Sequence, residues 1–227
     1  MIDPQLVSLA VHEFRTPASV VGGYLRMLQR DSDPPLSERQ RRMVDEAEKS
    51  CARLVAIVAE LSELGKLDSG ALALARQPLD LFALISEVAE LVHEASDREV
   101  RLEARGSCSG APLVGDAPRL RAAFAAIFRA ILREKAGPAL VIADRRIDTR
   151  GEASAAVVIV AESESVQAAY ERDAGPFDDR RGGLGLALPL ARRVIEGHGG
   201  RIWSPRGDET LARGAAIVSL PVTELNR

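Results

Sequence analysis

Apolar residues near the start of the chain recur at alternating steps of four and three: Val7, Val11, Phe14, Ala18, Val21, Leu25 and Leu28. That rhythm predicts a helix over residues 4–30 with the seam of a helix bundle. Asp3 and Pro4 supply an N-cap and a first-turn proline, and Gly22-Gly23 is a soft spot within the helix. A second series, Met43, Ala47, Ser50, Leu54, Ile57, Leu61 and Leu64, keeps the same beat. Between the two lies Asp31-Ser32-Asp33-Pro34-Pro35-Leu36-Ser37, whose prolines and small polar residues predict a connection. Ser37 with Gln40 three residues on is the signature of a capping box opening the second helix. Folded back at the connection, Leu28 faces Met43 and Val7 faces Leu64. A two-helix hairpin leaves one side of its stripe bare, so a homodimer closing a four-helix bundle is expected. The alternative is that the hairpin packs on the second half of its own chain.

Beyond residue 66 the pattern changes. Residues 66–77, with Asp68-Ser69-Gly70, read as a linker, placing a boundary between domains 1–70 and 71–227. Helical periodicity returns over residues 79–95 and 118–135. Strand-like alternation or β-branched runs occupy 98–104, 113–114, 139–148 and 155–162. Residues 163–182 are polar and predict a long loop. A helix follows over 184–196, ended by His198-Gly199-Gly200. Strands over 201–204 and 215–221 close the chain. The expected fold class is α+β: an antiparallel helix hairpin, then a two-layer α/β sandwich.

Composition narrows the function. The net charge of −3 gives no electrostatic basis for nucleic acid or anionic membrane as a partner. With 46% hydrophobic and 28% charged residues, the chain predicts a soluble protein with a packed core. No apolar run approaches the roughly 18 residues that span a bilayer. The start lacks the layout of a secretory signal, so a cytoplasmic protein is expected, either free of a membrane sensor or excised from a longer chain. Cys51 and Cys108 lack metal spacing and read as reduced thiols. No metal-ligand set is predicted.

The candidate chemistry sits one place off the first stripe. His12 there would stand at the edge of a bundle with its ring in water; the plain alternative is a surface histidine without function. Pro17 weighs toward function. It removes a backbone donor and clashes with the carbonyl of Glu13, at a cost of about 3 kcal/mol. A kink is expected there, and a rule-breaking position in an otherwise consistent helix is where function is expected.

The run His12-Glu13-Phe14-Arg15-Thr16-Pro17 resembles the phosphoacceptor box of the dimeric histidine kinases of two-component signalling. The second half resembles the ATP-binding domain of those kinases, related to the gyrase, chaperone and mismatch-repair ATPases. Gly182-Gly183-Leu184-Gly185-Leu186-Ala187-Leu188, leading to His198-Gly199-Gly200, is similar to the second glycine box and its helix. Glycines at such a junction let backbone N–H groups approach phosphate. The resemblance implies ATP and magnesium as cofactors, a response-regulator receiver domain as partner, and cofactor contacts from Arg133, Glu162, Gly183 and Gly185. Phe177 stands for the aromatic that anchors the lid.

The chain also departs from the family pattern. The two asparagines that hold magnesium and phosphates align with Ala126 and Ala130, whose methyls cannot coordinate a hard cation. The acid that accepts the adenine amino group aligns with Glu162, and the glycines after it with Glu164 and Val166. Glu164 brings unfavourable negative charge near a polyphosphate. Ala187 replaces the third glycine of the second box.

Three accounts follow: a phosphotransferase or phosphatase acting through His12, a divergent ATP-dependent autokinase, and a non-catalytic dimeric scaffold for a response regulator. The first is favoured. In it His12 is the nucleophile or leaving group, and Glu13 takes a proton from one ring nitrogen, raising the basicity of the other. The resemblance implies that Thr16, one turn along, positions water against an aspartyl phosphate. The plain alternatives are a solvated acid at Glu13 and a simple neighbour of Pro17 at Thr16. His93-Glu94 reads as a solvated helix face, His198 as a cap, and Tyr24 and Trp203 as packing residues. Arg180-Arg181 would meet an anion or keep the loop soluble.

Overall fold

A computed structural model describes residues 4–70, 73–94, 96–149 and 154–223, with the side chains of residues 4–9 and 12 outside that description. The chain divides into two compact units, Met1–Ala73 and Leu74–Arg227. No helix among the described residues is long and apolar enough to cross a membrane.

The first unit is two antiparallel helices, α1 (Pro4–Asp31) and α2 (Glu38–Asp68). The capping box forms as expected: Ser37 N donates to Gln40 Oε1 at 2.9 Å, and Gln40 N to Ser37 Oγ at 3.4 Å. The cap predicted at Asp3 lies outside the described residues. Pro17 sits inside α1 without ending it. Gln29 Nε2 donates to Asp45 Oδ1 at 2.6 Å, and Cys51 Sγ to the Ala18 carbonyl at 2.8 Å, tying the helices at two levels.

The apolar stripe divides between two faces. Val11, Gly22 and Cys51 are buried, and Ala18 and Leu25 half-buried, so that side closes within the hairpin. Phe14, Val21, Leu28, Met43 and Leu54 remain 49–64% exposed. Leu28 and Met43, expected to face one another, both have exposed side chains. Tyr24, read as a packing residue, is also exposed, at 65%.

The second unit is built on a six-stranded sheet and a two-stranded one. Its elements in order are β1 (Gln77–Asp80), α3 (Leu81–Leu91), β2 (Val100–Gly106), β3 (Pro112–Gly115), α4 (Ala117–Arg133), β4 (Ala139–Asp148), β5 (Ala155–Glu162), α5 (Val166–Glu171), β6 (Ala174–Gly175), α6 (Ala187–Gly197), β7 (Arg201–Pro205), α7 (Glu209–Gly214) and β8 (Ala216–Pro221). The large sheet runs β2-β4-β5-β8-β7-β6, with β2–β4 parallel and the rest antiparallel; β1 and β3 pair separately.

Period-two alternation sends the strand residues to two faces. Val141, Ala143, Val158, Val160, Ala216 and Val218 lie on one, under α3, α4 and α6. On that side α4 anchors the core with Leu120, Phe124, Ile127, Phe128 and Ile131, none more than marginally accessible. Each such large side chain contributes roughly 1.5–3 kcal/mol of burial. The opposite face gathers Ile142, Val157, Ile159, Ala161 and Ile217 with Val166 and Ala169 of α5, flanked by Trp203 and Leu211. The region read as a long irregular loop thus contains a helix, a short strand and a 3-10 turn at Arg181–Gly183.

Candidate functional site

On α1, His12 occupies a helical backbone position, while its side chain lies outside the described residues. Around it Glu13, Phe14, Arg15, Thr16 and Pro17 are all exposed, and Val11 is buried at 5%. Helical geometry puts residues 12 and 16 on one face, one turn apart. Val11 anchors this turn, so the following residues emerge on the outer side of the hairpin.

In the second unit the glycine turn precedes α6. Gly182, Gly183 and Gly185 have φ of 67°, 61° and 64°. At Gly182 the requirement is twofold: a Cβ would also lie 2.8 Å from Ala130 Cα. The turn therefore lies directly on α4 at Ala130, one of the two alanines that the resemblance aligns with asparagines. Ala126 and Ala130 are themselves buried, at 6% and 1%.

The polar groups of the turn are met by protein side chains. Gly182 N donates to Glu134 Oε1 at 3.1 Å, and Arg133 Nη1 donates to the Gly182 carbonyl at 3.1 Å. Arg133 Nε binds Glu94 Oε1 at 2.8 Å, so Glu94 is an ion-pair partner and not the solvated acid the sequence suggested. Arg213 Nε reaches the other Glu134 oxygen at 3.2 Å. Glu162 is paired with Lys135 Nζ at 3.1 Å. Beside these groups is a cavity of about 520 Å³, lined by Glu134, Lys135, Glu162, Thr210, Leu211 and Arg213 among others.

These residues do not fit Mg-ATP as the family pattern requires. Neither alanine offers an oxygen to the cation. The Glu162 carboxylate already holds an ammonium, and the Gly182 amide already holds a carboxylate. Val166, where a glycine is expected, opens α5 and is buried in the sheet core. Glu164 is exposed.

The loop leading to the turn is held from beneath. Arg181 is buried, contrary to its reading as an anion contact or a solubilising residue. It donates to the carbonyls of Asp178 at 2.9 Å and of Arg213 and Ala215 at 3.0 Å, and to Ser204 Oγ at 2.5 Å. Burial lowers its pKa from the ordinary guanidinium value, partly opposed by Asp178 and Glu134. The guanidinium groups of Arg181 and Arg192 lie over the Phe177 ring, 4.4 and 5.6 Å from its centroid.

His198 performs the capping role read for it, and more. It is the C-cap of α6, and its Nδ1 meets the Val194 carbonyl at 2.6 Å. Its Nε2 accepts the Asp116 amide at 2.9 Å. That assigns the neutral ring with the proton on Nδ1. A Cβ at Gly115 would lie 2.7 Å from the ring, which is why the turn before α4 carries glycine there. Asp116 caps α4 by accepting Arg119 N at 3.1 Å, and its other oxygen takes Ala75 N at 3.1 Å and the Arg119 guanidinium.

Comparison with known proteins bears on both units. Residues 5–70 match the His Kinase A (phospho-acceptor) domain. The probable sensor histidine kinase TcrY of Mycobacterium tuberculosis is 29% identical over 87% of this chain and 42% of its own length. The sensor protein kinase PmrB of Pseudomonas aeruginosa is 28% identical over 97% of this chain and 46% of its own length. The chain thus spans less than half the length of these relatives. Among solved structures, full-length ShkA in complex with AMPPNP superposes with a TM-score of 0.71 at 23% identity, covering 98% of this chain and 47% of that one. The histidine kinase AdeS of Acinetobacter baumannii gives 0.55 at 17% identity, covering 95% of this chain and 98% of that one.

Proposed function

Because the chain belongs to the histidine kinase family of two-component signalling proteins, we propose that it moves phosphoryl groups through His12, to or from a response-regulator aspartate, without using its own nucleotide pocket. The observation that carries this reading is the His12-Glu13-Phe14-Arg15-Thr16-Pro17 run within a continuous helix that matches the phosphoacceptor domain.

In the transfer step a ring nitrogen of His12 attacks the phosphorus of an aspartyl phosphate. The N–P bond forms as the P–O bond to the carboxyl group breaks, and the aspartate leaves with the bonding pair. Glu13 takes the proton from the other ring nitrogen, so the phosphorylated ring stays neutral. The reverse step returns that proton and the phosphoryl group. In the phosphatase step Thr16 orients a water, which displaces aspartate and releases inorganic phosphate.

The second helix face supports a dimer. Phe14, Val21, Leu28, Met43 and Leu54 form an apolar surface that a second copy would cover, closing a four-helix bundle. The second reading, an ATP-dependent autokinase, draws on ShkA, whose structure holds AMPPNP. Against it stand the alanines at 126 and 130 and the ion-paired Glu162.

The test mixes the protein with a phosphorylated receiver domain. Transfer or release of phosphate is expected, with acceptance of the phosphoryl group by the protein abolished in His12→Ala and the dimer intact by sedimentation. A His12→Ala protein that accepts label as well as the parent would remove His12 from the mechanism. If the parent neither takes nor releases phosphate, the scaffold reading replaces this one. Incubation with labelled ATP and magnesium is expected to give no acid-labile, base-stable phosphohistidine.

A further inference from the structure

Three successive residues, the last of α4 and the two after it, each bind a polar group beside the cavity. Arg133 holds the Gly182 carbonyl, Glu134 the Gly182 amide, and Lys135 the Glu162 carboxylate. Glu134 is distinctive, because its charge has the sign of the ligand a glycine turn attracts. Its two oxygens take one donor each, the Gly182 amide at 3.1 Å and Arg213 Nε at 3.2 Å. Its side chain is only 17% exposed, while that of Arg213 is 55% exposed. A backbone amide and a guanidinium converging on one anionic group are the donors that recognise a phosphate oxygen. Both donors cannot serve the carboxylate and a phosphate at once, and the carboxylate is covalently present at high effective concentration.

We propose that Glu134 is a built-in anion that holds the glycine turn shut, masking a site for a phosphate or pyrophosphate group made by the Gly182 amide and Arg213. The carboxylate blocks it in two ways. It takes the donors, and it repels an incoming anion inside a partly sheltered cleft. Arg133 reinforces the closure by holding the same residue's carbonyl, while Glu94 fixes the Arg133 guanidinium from the other side. The inference rests on the reading that the pocket is inoperative in the parent, and it adds a cause located in one side chain.

The experiment is calorimetric titration of the full chain with inorganic pyrophosphate, for the parent, Glu134→Ala, and Glu134→Ala with Arg213→Ala. Glu134→Ala is expected to bind pyrophosphate about tenfold or more tighter than the parent, the size of one charge-assisted hydrogen bond regained. The double variant should lose that gain. Should Glu134→Ala fail to fold, Glu134→Gln carries the same test, since it keeps an acceptor for Gly182 and removes the charge; a gain of at least about threefold is then expected. A variant affinity within twofold of the parent, or a gain that survives Arg213→Ala, overturns the proposal. Parallel titration of the parent with Mg-ATP separates the two readings. Tight binding there refutes the inoperative pocket, whereas the variant-to-parent ratio for pyrophosphate reports on the Glu134 clamp alone.

Discussion

Replacing His198 by phenylalanine isolates the tie between the start of α4 and the end of α6. Phenylalanine keeps the ring volume against Gly115 but has neither nitrogen. The Asp116 amide, which donates to Nε2 at 2.9 Å in a buried setting, is left without an acceptor. The Val194 carbonyl loses Nδ1 but keeps the backbone bond from His198 N at 3.2 Å, so it adds little. The expected loss is that of one orphaned buried donor, about 1–3 kcal/mol. The single tryptophan, Trp203, lies on β7 in the same unit, so its fluorescence follows this unit and not the helix hairpin. Urea unfolding monitored at Trp203 should show a lower midpoint at unchanged slope, and a melting temperature lower by roughly 2–4 °C for each kcal/mol. His198→Gln, whose amide can restore one bond, should fall between the two. A His198→Phe protein within about 0.5 kcal/mol of the parent would refute the claim that this ring supplies the acceptor for Asp116.

Two further expectations concern the same unit. Burial alone would raise the Asp116 pKa, but the Ala75 and Arg119 amides and the Arg119 guanidinium outweigh it and hold the pKa below the ordinary carboxylate value. Its contribution to stability is therefore complete above the unfolded value of about 3.9 and is lost as pH falls through the lower folded value. Asp116→Asn should lower stability at neutral pH and flatten the acid limb of a urea-midpoint against pH profile; an unchanged acid limb would contradict this. Restoring asparagine at Ala126 and Ala130 together should not restore Mg-ATP binding, because Gly182 packs on Ala130 and its amide is taken. The added volume should cost about 1–3 kcal/mol by urea unfolding. Micromolar Mg-ATP binding by the double variant at parental stability would show that the alanines were the sole defect.

The parts of this fold that were legible in the sequence are those written in local periodicity. The Ser37–Gln40 capping box, the two long helices, and the strands Ala139–Asp148 and Ala155–Glu162 follow from steps of 3.6 and 2. Helices α5 and α7 were not legible, because six residues are too few to display a period, and nothing in the sequence marked Val166 as a core residue. The β2 strand starts at Val100, after a 3-10 turn at Ser96–Arg98 and a positive φ at Glu99. No such turn shows in a charged run.

The site divides the same way. His12, Glu13 and Thr16 are one helical turn of sequence, so their spacing could be read directly. The pairing of Glu134 with Gly182 joins residues 48 apart, and that of Arg133 with Glu94 joins residues 39 apart. Charged side chains at the end of a helix ordinarily face water, and nothing in Arg133-Glu134-Lys135 distinguishes a solvated end from one that fills a cleft. Arg181 misled for a related reason: arginine is rarely buried, yet here backbone carbonyls satisfy it.

The absence of oxygen ligands at Ala126 and Ala130 and the presence of internal ion pairs nearby are separate features, and only the first is visible in the sequence. Without internal partners, the Gly182 amide and the acid at 162, both half-exposed, would depend on water. Here the two residues that follow α4 supply a carboxylate to the amide and an ammonium to the acid. The Gly182 amide and the Glu162 carboxylate thereby have partners without a nucleotide. A phosphoryl group passing between His12 and a receiver would then require nothing from the second unit's cleft.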